Sequence, residues 1–131
     1  MTNSGPIVAI VDDDKAVGNA IEVLMRSIGL VAQAFSSAEE FLRSPQLGLT
    51  GCLVVDFDMP GMSGLDLHNN LSRSGKVIPT VLITAYPSDD IRARAFKAGI
   101  ICYLPKPFGE SDLLHCIQTA LDRAKGNKAA P

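Results

Sequence analysis

Five short apolar runs rich in β-forming residues alternate with five stretches of helical period along the 131 residues, and no other feature narrows the fold as much. Alternation of this kind is the sign of βαβ units and a parallel sheet. The runs are Ile7–Val11, Val31–Phe35, Cys52–Asp56, Thr80–Thr84 and Ile100–Leu104. Most are continuously apolar, as expected of strands covered on both faces. The second alternates apolar with polar and is placed near an edge.

The stretches between the runs carry their own start and stop signals. Val17, Ala20, Ile21, Leu24, Met25 and Ile28 recur at helical spacing, and Gly29 follows as a left-handed stop. Ser37-Ala38-Glu39-Glu40 reads as a capping box opening a short helix through Phe41 and Leu42, which Pro45 helps to end. Ser63 is expected to cap a third helix that runs to Gly75, and Ser88 with two following aspartates a fourth that stops at Gly99. Leu113, Leu114, Ile117, Ala120, Leu121 and Ala124 mark the fifth.

A chain of this length fits one compact domain, since single hydrophobic cores are mostly built from roughly 100–150 residues. The domain is expected over residues 1–125, with 126–131 as a frayed tail or the start of a linker. The net charge of −2 lacks the basic excess that nucleic-acid binding needs, so no direct contact with DNA or RNA is expected. No apolar run approaches the roughly 20 residues of a membrane span, and the first residues do not read as a leader, so a cytoplasmic location is expected. Cys52, Cys102 and Cys116 are odd in number and show no Cys-x-x-Cys spacing; they read as core thiols and not as a disulfide framework or zinc site.

In open α/β sheets ligands bind beyond the carboxyl ends of the strands, and the polar residues of this chain collect there. Asp12, Asp13 and Asp14 follow the first run, Asp56 closes the third, Thr84 closes the fourth, and Lys106 lies just past the fifth. Two carboxylates about 4 Å apart repel by roughly 4 kcal/mol at an effective dielectric near 20, so three in one pocket call for a cation. Oxygen ligands without a nearby His or thiolate favour magnesium, which keeps waters that phosphate oxygens can replace. Lys106 adds a mobile point charge and Thr84 a hydroxyl donor. Singly, each residue has a plainer reading as a turn, cap, strand or surface residue, and for Asp14 a helix cap is the preferred one. Their joint arrival at one sheet edge favours a site.

Ile10-Val11-Asp12-Asp13, the run Val55-Asp56-Phe57-Asp58-Met59-Pro60-Gly61-Met62-Ser63-Gly64, Thr84-Ala85 and Lys106-Pro107-Phe108 together resemble the receiver domain of bacterial two-component response regulators. The Ala38-Glu39-Glu40-Phe41-Leu42 stretch and the Met-Ser-Gly turn look most like the nitrogen-fixation branch, whose receivers usually carry a helix-turn-helix output domain that this sequence does not contain. The resemblance implies a flavodoxin-like doubly wound (βα)5 fold with sheet order 2-1-3-4-5, an order for which a receiver is the standard example. It implies Asp56 as phosphoacceptor, with magnesium held by Asp13 and Asp56, by Asp12 through water, and by the backbone carbonyl of Asp58. Thr84 and Lys106 would contact the phosphoryl oxygens, Tyr103 would be the aromatic switch, and the Lys106–Pro107 bond would be cis.

By the same resemblance the chain is a signalling domain that catalyses only its own phosphorylation and dephosphorylation. A sensor histidine kinase is the implied donor, and an output domain or partner protein the recipient. A homodimer through the fourth helix, fifth strand and fifth helix is a further implied partner. Asp58 and Tyr86 flank the expected phosphoryl position and are expected to tune how fast water removes the group, through an added charge and a shielding ring. Pro87 stiffens the same loop.

Two other classes bear weighing. Asp56-Phe57-Asp58 also resembles the nucleophile motif of haloacid-dehalogenase-type phosphatases, with Asp58 as general acid and base. Those enzymes carry the motif after their first strand, whereas here an acidic cluster comes first. A binding module that has lost the chemistry is disfavoured by the complete set of acidic, Thr and Lys residues. No Gly-x-Gly-x-x-Gly turn supports a nucleotide site, and His68 and His115 read as packing or surface residues.

Overall fold

The computed structural model describes residues 6–129, with side chains through Ala124. Five strands, β1 (Ile7–Val11), β2 (Val31–Phe35), β3 (Thr50–Asp56), β4 (Thr80–Thr84) and β5 (Cys102–Pro105), form one sheet in the order β2-β1-β3-β4-β5. All four pairings are parallel. Helices α1 (Lys15–Ser27), α2 (Ala38–Leu42), α3 (Gly64–Arg73) and α4 (Asp89–Lys97) make the four crossovers and α5 (Glu110–Ala129) follows the last strand, giving the flavodoxin-like doubly wound arrangement. A single 3₁₀ turn, Leu47–Leu49, leads into β3.

Successive strand residues point to opposite faces, so each apolar run feeds two cores. Ala9, Val11, Leu53, Val55 and Leu82 pack with α2, α3 and α4. Val8, Ile10, Cys52, Val54, Val81 and Ile83 pack with α1 and α5. β1 is buried at every position, while the edge strand β2 exposes Gln33, as its alternation foretells. Cys52 and Cys116 are buried and Cys102 half-buried, all three as free thiols of the second core.

The helix ends follow their residues closely. Asp14 caps α1 by accepting from the N–H groups of Ala16 and Val17, and Ser88 caps α4 by accepting from Ile91 N. Ser63 and Asp66 form a full capping box on α3. At α2 only half the box forms: Ser37 accepts from Glu40 N, but the Glu40 carboxylate turns to the N–H and hydroxyl of Ser36. Gly29, Gly75 and Gly99 all take positive φ. Each closes a Schellman motif, the next residue's N–H reaching back to Met25, Leu71 and Ala95 respectively.

Three elements differ in their bounds from the sequence reading. β3 begins at Thr50, not Cys52, because Thr50 pairs with Ile7 across a register shift between Ile7 and Val8. β5 begins at Cys102, not Ile100: Ile100 belongs to the closing turn of α4, its N–H bonded to Ala95 O and its side chain buried. α5 continues to Ala129, so helix covers residues 126–129 of the stretch read as a tail; Ala130 and Pro131 lie outside the described residues. On α1, the apolar stripe is wider than the sheet covers. Ala20 is exposed and Val17 and Leu24 half-buried, facing a groove of about 440 Å³ against Pro107 and Phe108. The Lys106–Pro107 bond is cis.

Candidate functional site

Strand register alone brings the acidic residues together. Val11 pairs with Val55 on adjacent strands, so the next residues, Asp12 and Asp56, emerge side by side at the carboxyl edge. Thr84 pairs with Pro105, and Lys106 N donates to Thr84 O at 2.7 Å, which draws the lysine back over the same edge. Asp12 and Asp56 are 1% and 3% exposed, and Thr84 is fully buried. The Lys106 ammonium sits 3.0 Å from Asp12 Oδ2 and 3.4 Å from Asp56 Oδ2.

This geometry sets the charges. Burial pushes the Asp56 carboxyl up to about 6; the N–H of Asp58 and the Lys106 charge oppose the rise, and the neighbouring Asp12 charge adds to it. Partial burial works against the Lys106 ammonium, yet Asp12 and Asp56 outweigh it and hold its pKa above the ordinary lysine value. One cation is thus shared by two buried carboxylates.

Carboxylate oxygens of Asp12, Asp13 and Asp56 all lie within 4.8 Å of one another, with Asp13 exposed at the rim. Asp12 Oδ1 accepts from Asp14 N at 2.9 Å. Asp12 Oδ2 is buried, and its partner is the Lys106 ammonium at 3.0 Å. A hard divalent cation fits such a set: three carboxylates within 4.8 Å of one another, two of them buried and sharing one lysine, with the third exposed at the rim. The Asp58 carboxylate is not one of the three.

That carboxylate instead faces the end of β4. Asp58 Oδ2 accepts from the Thr84 hydroxyl at 2.7 Å and from Ala85 N at 3.1 Å, while Thr84 Oγ1 accepts from Tyr86 N at 3.0 Å. Asp58 N in turn donates to Asp56 Oδ1 at 3.1 Å. The two aromatic residues stand apart from the acidic pocket. Tyr86 is 75% exposed. The Tyr103 hydroxyl accepts from Ser88 N at 3.0 Å and lies 3.4 Å from Ser88 O, tying β5 to the cap of α4.

Sequence reasoning named Asp12, Asp13, Asp56 and Lys106, which the structure brings together. It missed three contacts around them: Asp58 to Thr84, Tyr103 to Ser88, and the close approach at Gly64. A Cβ at Gly64 would stand 2.6 Å from the Asp56 carbonyl oxygen and 2.9 Å from Leu82 Cδ1, so only glycine lets α3 start directly behind the Asp56 strand. The one signal available for Asp58 was its spacing of two from Asp56. His68, read as packing or surface, is a packing residue with both ring nitrogens engaged: Nε2 donates to Ala98 O and Nδ1 meets Thr80 Oγ1, each at 2.9 Å.

Comparison with known proteins agrees with the geometry. Residues 8–118 match the family model described as response regulator receiver domain. The response regulator protein TmoT of Ectopseudomonas mendocina is 43% identical over 128 residues, covering 98% of this chain and 58% of that protein. The transcriptional regulatory protein FixJ of Azorhizobium caulinodans is 32% identical over 117 residues, covering 89% of this chain and 56% of that one. Among solved structures, response regulator StyR superposes with a TM-score of 0.88 at 40% identity, covering 96% of this chain and 64% of the other. The chain therefore spans a little over half the length of the curated relatives it matches.

Proposed function

The chain belongs to the response regulator receiver domain family, and from that premise we propose that Asp56 accepts a phosphoryl group from a phosphohistidine of a sensor histidine kinase in a magnesium-dependent reaction. The observation that carries this reading is the buried Asp56 carboxylate, held 3.4 Å from Lys106 and grouped with Asp12 and Asp13. Family membership also sets aside a haloacid-dehalogenase-type phosphatase. A receiver is a signalling domain, and the activity proposed here is limited to its own phosphorylation and dephosphorylation.

In the reaction, an Asp56 oxygen attacks phosphorus, the bond from phosphorus to the imidazole nitrogen breaks, and an acyl phosphate forms while the nitrogen leaves with the electron pair. Asp12, Asp13 and Asp56, with the Asp58 carbonyl carried over from the resemblance, would hold the magnesium ion, which when bound offsets negative charge on the phosphoryl oxygens. Lys106 moves its ammonium from the carboxylates towards those oxygens. Thr84 supplies a hydroxyl. Water later cleaves the acyl phosphate, and Asp58 and Tyr86 tune its access.

Signal output follows from the same site. As Thr84 is drawn towards the phosphoryl group, Tyr103 would leave Ser88 and turn inward, repacking the face formed by α4 and β5. That face, continued by α5, is proposed to bind a second copy of the chain or a partner. The response regulator relatives imply a kinase upstream and an output domain downstream, with residues 1–125 proposed as the receiver unit. A cytoplasmic location is proposed from membership of the receiver family; among the described residues no helix is long and apolar enough to cross a membrane.

The test is intact mass after incubation with acetyl phosphate and magnesium. One added phosphoryl group is expected for the wild type, and none for Asp56→Asn or for the wild type in excess EDTA. Labelling that survives Asp56→Asn would refute the assignment.

A further inference from the structure

The end of β4 offers two donors beside Asp56, and both already have an acceptor. The Thr84 hydroxyl and the Ala85 N–H converge on one oxygen, Asp58 Oδ2, at 2.7 and 3.1 Å. Thr84 has a single hydroxyl proton, and its lone pairs take the Tyr86 N–H at 3.0 Å, so its orientation is set on both sides. Asp58 is held in turn by its own N–H, which donates to Asp56 Oδ1.

A phosphoryl group on Asp56 presents anionic oxygens, the same class of acceptor as the Asp58 carboxylate. One proton cannot serve both. We infer that Asp58 is an internal competitor of the phosphoryl group: its carboxylate holds the Thr84 and Ala85 donors in the unphosphorylated protein and must release them before the modified Asp56 engages them. Asp58 is then a positioning residue that sets the threshold of switching, acting through Thr84 and Ala85. An aspartate suits the role, since an ionised carboxylate only accepts and its charge-assisted bonds are stronger than those of an amide or a water. Linkage makes the effect reciprocal: whatever factor Asp58 gains by holding the donors, the phosphoryl group loses in engaging them.

The inference rests on Asp56 as phosphoacceptor, and beryllofluoride with saturating magnesium, which forms a phosphoryl-like adduct on a carboxylate, tests the two separately. Adduct dissociation constants are measured on the full chain for wild type, Asp58→Asn and Asp58→Ala, each with Thr84 or Thr84→Val. Asp58→Ala should tighten the adduct by roughly tenfold. Asp58→Asn should tighten it less, because the amide oxygen still accepts from both donors though the charge is gone. With Thr84→Val in place, the gain from Asp58→Ala should shrink by at least about half, since only the Ala85 N–H remains to be freed.

Equal gains from Asn and Ala that Thr84→Val leaves undiminished would mean that Asp58 acts by charge alone, and would overturn the inference. Unchanged or weaker binding in Asp58→Ala would overturn it too. An adduct that persists in Asp56→Asn would instead remove the phosphoacceptor reading, and this inference with it. In the free protein, the Ala85 amide proton should move upfield in Asp58→Ala as its bond to a carboxylate is lost; an unmoved resonance counts against the inference independently of any adduct.

Discussion

Helices α3 and α4 cover the same face of the sheet but are held in different ways. α3 buries Gly64, Leu65, Leu67, His68 and Leu71 along its ten residues. α4, with nine residues, buries only Ala95, with Ile91 and Ala98 partly covered. Apolar area holds α3 down, and its first turn sits against the Asp56 carbonyl. Polar links hold α4 at its two ends: Tyr103 on Ser88 at the start, His68 on Ala98 O at the finish. Burial scales with the apolar area covered along the whole helix, whereas a single hydrogen bond contributes only about 0.5–1.5 kcal/mol at one point. The helix behind Asp56 is therefore held along its length, and the helix beside Tyr103 mainly at its ends.

The sharpest way to break this contrast is to hollow each helix. Leu67→Ala removes a fully buried side chain of α3 and should lower unfolding free energy by about 2–5 kcal/mol in urea titrations. Phe96→Ala on α4, a residue 42% exposed with Arg92 over its ring, should lower it by less than about 1 kcal/mol. Comparable losses would contradict the contrast.

Gly64→Ala probes the contact between α3 and the end of β3. The added methyl has no room behind the Asp56 carbonyl, so a loss of about 1–3 kcal/mol is expected. Acetyl phosphate labelling of Asp56 should slow by roughly tenfold or more as the carboxylate is displaced. Normal labelling at reduced stability would separate the fold's tolerance from the site's.

The links on α4 should matter less to global stability and more to local opening. His68→Leu keeps most of the volume but leaves the Ala98 carbonyl without its donor, for a cost of about 1–2 kcal/mol. Amide exchange at the end of α4 should accelerate while α3 stays protected. Tyr103→Phe has the smallest effect, within about 0.5 kcal/mol, because water replaces the hydroxyl at the exposed Ser88. Exchange at Ser88 and Ile91 should nonetheless rise. If both variants left α4 exchange unchanged, the idea of a helix held at its ends would fail.

Much of this was legible from residue order. Strand runs, caps at Asp14, Ser63 and Ser88, and glycine stops at 29, 75 and 99 are local choices, each decided by φ, by one side-chain oxygen or by alternation of apolar residues. The boundary of β5 was misread because an apolar residue such as Ile100 is equally at home in a strand or in the hydrophobic closure of a helix end. The half-formed capping box at Glu40 shows the same limit: a carboxylate with two donors in reach, Ser36 and Ser37, chooses by geometry that spacing does not reveal.

By itself, then, the order of residues determined the fold class, the edge of the sheet on which the acids, Thr84 and Lys106 collect, and which glycines must turn. Local conformation and the period of apolar residues carry that information, and both are written along the chain. Only the tertiary structure decided which acceptor each donor takes: Lys106 on Asp12 and Asp56, Thr84 and Ala85 on Asp58, Tyr103 on Ser88, His68 on Ala98. These partners come from different crossovers, and competition among hydrogen-bonding groups is settled by ångström-scale distances that exist only once the sheet has brought the strand ends together.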